Sequence, residues 1–128
     1  ITCERVTREG LEVPEALARF DAFTDRAPIW AWGTDELNAV AVSCYLAGVP
    51  APIPATRFGN APRLLVAAGI DVETIHGLRS NTLAAHFGLT QPGARAHDGL
   101  SDATGAALAL QHLLRAGRLA AGDFALAA

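Results

Sequence analysis

Apolar residues recur at three- and four-residue steps through Ala103, Ala106, Ala107, Leu110, Leu113 and Leu114, which predicts an amphipathic helix stopping at Gly117 after Arg115. Asp98 or Ser101 stands where that helix needs a cap. Earlier, Pro14 opens a helix with Ala16, Leu17, Phe20 and Phe23 on one face, closed by the polar turn Thr24-Asp25-Arg26. The run Pro28-Ile29-Trp30-Ala31-Trp32-Gly33 has no polar face, so it predicts a strand buried on both sides in a sheet covered by helices. Thr34 or Asp35 then caps a helix through Leu37, Val40, Ala41, Cys44 and Tyr45 to Gly48.

The segment Val49-Pro50-Ala51-Pro52-Ile53-Pro54 cannot remain helical and predicts an extended connector. Arg57-Phe58-Gly59 predicts a short second strand, and Asn60 a cap for a helix with Pro62 in its first turn and Leu64, Leu65 and Ala68 along it. A further helix is expected from Ser80 or Asn81 to Phe87, stopped by Gly88. Helices dominate, yet the strand at Ile29 makes an α/β layered domain a better fit than a helical bundle. One domain over residues 1–128 is expected, with a weakly specified Ala-rich tail over 120–128.

Composition narrows the class. With 51% hydrophobic and 18% charged residues over 128 positions, the chain can bury a real core. No stretch is long and apolar enough to span a bilayer, and Glu4 and Arg5 stand where a signal peptide needs apolar residues, so a cytoplasmic protein without membrane attachment is expected. Cys3 and Cys44 are far apart and outside any CxxC spacing, and Cys44 reads as a core residue. A net charge of -3 excludes a broad electrostatic footprint for duplex nucleic acid, although a local cluster can still hold a single strand. The sequence has no Met and begins at Ile1, which predicts a piece of a longer chain.

Two places carry chemistry. His97, followed five residues on by Asp102, puts an imidazole and a carboxylate at the head of the long helix. Asp35 follows the buried strand, at the end where ligands collect in open α/β sheets, with Glu36 as the alternative. Read alone, each acid is a residue favouring a helix N-terminus. Trp30 and Trp32 share one strand face and read as core rather than as a stacking platform for bases. His76, His86 and His112 have no partners at ligand spacing, and Arg57 and Arg95 read as solvated cations.

Taken together, these runs resemble the DEDDh 3′-to-5′ exonucleases of the DnaQ-like group, with the ribonuclease H-like fold. The run Ala96-His97-Asp98-Gly99-Leu100-Ser101-Asp102-Ala103 is similar to the family's third motif, and Trp30-Ala31-Trp32-Gly33-Thr34-Asp35-Glu36-Leu37-Asn38 to its second. Ile1-Thr2-Cys3-Glu4-Arg5-Val6 with Gly10 resembles the loop ahead of the family's first major helix, and 80–89 the helix preceding the last motif. The first motif, an Asp-x-Glu, has no counterpart before Asp35. Asp71-Val72-Glu73 has the letters in the wrong order along the chain and reads as a solvated turn.

The resemblance implies the later part of a three-layer exonuclease domain, N-terminally incomplete, without the first strands and first acidic motif. It implies hydrolysis of DNA or RNA from a free 3′ end to nucleoside monophosphates, at two Mg²⁺ or Mn²⁺ ions held by Asp35, Asp102 and two acidic ligands expected upstream. His97 would take the proton of the attacking water. By itself such a chain should be inactive, and its open strand edge should favour homo-oligomers. The alternatives are a non-catalytic exonuclease-like module that binds nucleic acid or protein, and an unrelated helical interaction domain.

Overall fold

The computed structural model describes residues 2–95 and 97–126. Ile1 and Ala96, which open two of the runs compared above, and residues 127–128 lie outside the described residues. The fold is mixed α/β and helix-rich, with a small parallel sheet.

Helix α1 spans Cys3–Glu9, where the sequence reading expects a loop. Thr2 accepts the N–H of Arg5 at 3.3 Å, and Arg5 pairs with Glu9 one turn on at 2.8 Å. This local capping and pairing holds a helix that buries no residue. Helix α2, Val13–Thr24, starts on Pro14 and ends at Asp25 in the left-handed conformation (φ 42°). Of its expected apolar face only Leu17 is buried; Phe23 is 85% exposed.

Strand β1 is Ile29–Ala31, and helix α3, Asp35–Ala47, leads away from it to Gly48 at φ 65°. The chain returns through a 3₁₀ turn, Ala55–Arg57, into strand β2, Phe58–Asn60. The strands pair in parallel, with Ile29, Trp30 and Ala31 opposite Phe58, Gly59 and Asn60. All three β1 residues are half-buried, so the strand is not covered on both faces as its composition predicts. Arg57 ties this crossover to the end of α2: its guanidinium donates to the Asp21 carboxylate, the Thr24 hydroxyl at 2.6 Å and the Ala27 carbonyl at 3.1 Å.

Asn60 does not cap the next helix as expected. It is the last β2 residue, and its side-chain oxygen accepts the N–H of Gly33 at 3.2 Å, locking the two strand ends together. Helix α4, Pro62–Ala67, therefore starts from Ala61 without a side-chain cap. The segment after Asp71 is a second correction: Val72–Gly77 is helix α5, and Asp71 caps it by accepting the Thr74 N–H at 2.8 Å. Asp71 is thus a helix cap in an ordered element rather than part of a solvated turn.

Helices α6, Ser80–His86, and α7, Gly99–Arg115, form the most extensive helix pair. Their seam holds Leu83 and Ala84 of α6 with Gly105, Ala109 and Leu113 of α7. The buried stripe of α7 is rotated from the expected one: Ala103, Ala107 and Leu114 face outward. Leu64 and Leu65 of α4, with Ile75, Leu78 and Leu119, complete the core, and Trp30, Trp32 and Phe87 pack against it. Residues Ala121–Phe124 make a 3₁₀ turn whose Phe124 meets Trp30 edge to face at 6.1 Å. Among the described residues no helix is long and apolar enough to cross a membrane.

Candidate functional site

Asp102 lies in the first turn of α7, where sequence places it. Residues 102, 105, 106 and 109 are spaced at helical steps along one line, so Asp102 shares its face with Gly105, Ala106 and Ala109. That face is the packed one, and it draws the carboxylate in: Asp102 is half-buried, and its Oδ1 is buried with no hydrogen-bond partner among the described residues. A buried carboxylate oxygen without a donor is costly, and the indole Nε1 of Trp30 is in the same position among the described residues.

His97 precedes the helix in the left-handed conformation, φ 61°, and is exposed. Residues with a Cβ are uncommon in this region, although histidine enters it more readily than most; Asp25 and Arg26 do so too. Asp98 is the cap of α7, accepting the N–H of Ser101 at 3.0 Å. Ser101, the other candidate cap, instead receives the loop that leads to His97: Arg95 donates its N–H to the Ser101 hydroxyl at 2.9 Å. Gln91 donates to the carbonyl of Ser101 at 2.7 Å. Sequence reasoning missed this role for Gln91 and Ser101; the one available signal is a polar residue beside the Pro92-Gly93 turn.

Asp35 is the first residue of α3 and is exposed, as is Glu36. It follows Gly33 and Thr34, which with Leu37, Asn60 and Arg63 line an open cleft of about 170 Å³ at the carboxyl ends of the two strands. The position is the one at which parallel sheets admit ligands. Asp35 and Asp102 each stand at the start of a helix, but only α7 contributes to the core cluster; α3 packs chiefly against α2. Among the described residues no three His, Cys, Asp or Glu side chains gather into a metal-holding group. The resemblance assigns only two acids to this sequence.

A second groove, about 460 Å³, runs between the loop at Thr90–Arg95 and the outer face of α7, along Leu100, Thr104 and Leu108. Helical geometry puts that row on the side of α7 opposite Asp102.

The remaining candidates have structural partners. His86 and Phe87 meet at 4.9 Å between ring centroids, and Phe87 and His112 at 5.7 Å, which makes an aromatic row on the α6–α7 pair. Trp30 and Trp32 pack against the core; Cys44 is buried on α3 outside that cluster, and Cys3 is exposed. Arg57 is committed to α2 and its following turn rather than solvated. Two carboxyls are held below their ordinary range: Asp71, chiefly by the Thr74 hydroxyl, and Glu9, by Arg8 and then Arg5.

Comparison with protein-family models, with curated proteins and with solved structures finds no match to this chain.

Proposed function

We propose that this chain carries the second and third acidic motifs of a metal-dependent 3′-to-5′ exonuclease with a ribonuclease H-like fold, acting on DNA or RNA with a free 3′ end. The observation that carries the reading is the Asp102 Oδ1, buried without a partner on the inward face of α7, five residues after a His held in an unusual backbone conformation. Asp35, at the end of β1, is the second acid. Hard oxygen donors of this kind fit Mg²⁺ or Mn²⁺, and Asp35 and Asp102 are the residues that would hold such ions. When bound, a pair of these ions supplies charge stabilisation for phosphodiester displacement.

The protein's own groups do the rest. The packed stripe of Gly105, Ala109 and Leu113 fixes the helix turn that carries Asp102, and so the direction in which its side chain leaves the helix. His97 is exposed and free of competing hydrogen bonds among the described residues, so its imidazole can accept the proton of an attacking water. The free thiols of Cys3 and Cys44 suit a cytoplasmic setting. Two further carboxylates, the Asp-x-Glu that this sequence lacks, are required for the complete site.

Their absence favours one rival, a non-catalytic exonuclease-like module that binds nucleic acid or a protein partner. The two are separated by incubating the full-length protein with 3′-accessible single strands of DNA and RNA and Mn²⁺, beside a His97→Ala variant. Release of nucleoside monophosphates that His97→Ala abolishes supports the enzyme. Strand binding without metal-dependent release supports the rival, and equal release by both proteins removes His97 as the base.

A further inference from the structure

Ser101 gathers four hydrogen bonds at the entrance of α7. Its N–H donates to Asp98 Oδ1 at 3.0 Å, and its hydroxyl accepts from the Arg95 N–H at 2.9 Å and from Gln91 Nε2 at 3.2 Å. The same Gln91 nitrogen donates to the Ser101 carbonyl at 2.7 Å. The other end of the Gln91 amide is seated on Gly105, where a Cβ would stand 2.9 Å from Oε1. A side chain at Gly105 would displace the amide, so the glycine keeps the seat open.

These bonds pin the chain on both sides of His97. Arg95, two residues before it, is fixed to the Ser101 hydroxyl, and Asp98, one residue after, is fixed to the Ser101 N–H. The Asp98 N–H also donates to the Arg95 carbonyl at 3.3 Å, closing the turn. His97 at φ 61° lies between the two anchors. Anchors two residues before and one residue after His97 restrict its backbone, which is consistent with the left-handed conformation.

We propose that Gln91 and Ser101 are positioning residues for His97: together they form a latch that fixes the His97 loop to the same helix turn that carries Asp102. What His97 does there rests on the exonuclease reading; that the latch places it does not. Because Ser101 reaches His97 only through its neighbours Arg95 and Asp98, and Gln91 only through Ser101, their removal changes where the imidazole stands and leaves its chemistry intact.

The test uses ¹⁵N-labelled protein and its variants Ser101→Ala, Ser101→Thr, Gln91→Ala and Gln91→Glu. Glu keeps the shape of Gln without its N–H donors, and Thr keeps the hydroxyl. Loss of one hydrogen bond should speed exchange of the Arg95 amide about tenfold in Ser101→Ala. In Ser101→Ala, Gln91→Ala and Gln91→Glu the His97 backbone amide signals and their HN–Hα coupling should move to those of an unrestrained residue, whereas Ser101→Thr should keep the original signals. His97 signals unchanged in folded Ser101→Ala and Gln91→Glu would overturn the latch. In the full-length protein with Mn²⁺, the same three variants should lower kcat with little change in KM. Absence of any hydrolysis by the unmodified protein would sink the exonuclease reading, while the His97 signals still decide the latch.

Discussion

Gly59 lies directly across the sheet from Trp30, and a Cβ added to it would stand 2.6 Å from Cε3 of the indole and 2.9 Å from Cδ2 of Leu126. The indole occupies the space of the missing side chain, and in doing so couples β2 to the core through Phe124. Gly59→Ala should therefore destabilise the protein by about 1–3 kcal/mol through overpacking. Urea unfolding followed by tryptophan fluorescence measures it, and an unchanged midpoint would mean that the indole is not held where the sheet places it.

Leu113 and Leu114 separate the two possible rotations of α7. The periodic pattern puts both on the apolar face, but Leu113 is fully buried and Leu114 is 41% exposed. Leu113→Ala should cost about 2–5 kcal/mol, the range for a large core side chain removed with partial collapse. Leu114→Ala should cost roughly 1 kcal/mol or less. Similar losses would imply a different rotation of the helix, and with it a different direction for Asp102.

Asp102 should trade stability for binding. An unpartnered buried Oδ1 costs stability, so Asp102→Asn, which keeps the volume and removes the charge, should melt no lower than the unmodified protein in chelator. In the full-length protein, millimolar Mn²⁺ should raise the melting temperature and leave that of Asp102→Asn unchanged. A Mn²⁺ shift of equal size in both proteins would remove Asp102 from the ligand set.

The cap at Asp71 predicts a pH dependence. The Thr74 hydroxyl and N–H hold its carboxyl below the ordinary range, so the folded state favours the charged form. Its contribution is fully present above the unfolded value, about 3.9 for an aspartate, and disappears as pH falls through the lower folded value. Asp71→Ala should lower the melting temperature at neutral pH, and the difference from the unmodified protein should shrink below that range. A difference constant down to strongly acidic pH would argue against the charged cap.

Much of this was legible where a single residue decides a local event. Pro14 opens α2, Gly48 closes α3, Asp98 caps α7, and each acts through its own backbone or nearest turn. Asn60 reads equally well as a cap, and only its partner across the sheet, Gly33, shows that its oxygen is engaged elsewhere. Helix α5 was hidden because six residues offer less than two turns of periodicity, and α1 because its stability comes from caps and ion pairs instead of a buried face. In α7 nine of the seventeen residues are Ala or Leu, with 106–110 unbroken, so the apolar stripe is ambiguous by a rotation of the helix, and packing against α6 chooses. The candidate residues Asp35, His97 and Asp102 could be named from sequence, whereas the burial of Oδ1 and the hold of Gln91 on Ser101 depend on tertiary contacts.

The Arg57 clamp also bears on how the protein would respond to salt. All ten basic side chains are arginines, and a strand-binding protein ordinarily weakens with rising ionic strength in proportion to the cations it places on phosphates. Arg57 directs its guanidinium to Asp21, Thr24 and the carbonyl of Ala27, with its side chain only 14% exposed. It has no counterions to exchange with a polyanion, and the slope of affinity against salt should be the same whether or not this arginine is present in a folded protein. Its charge belongs to the crossover between the strands, and any phosphate grip must come from arginines that the fold leaves facing water.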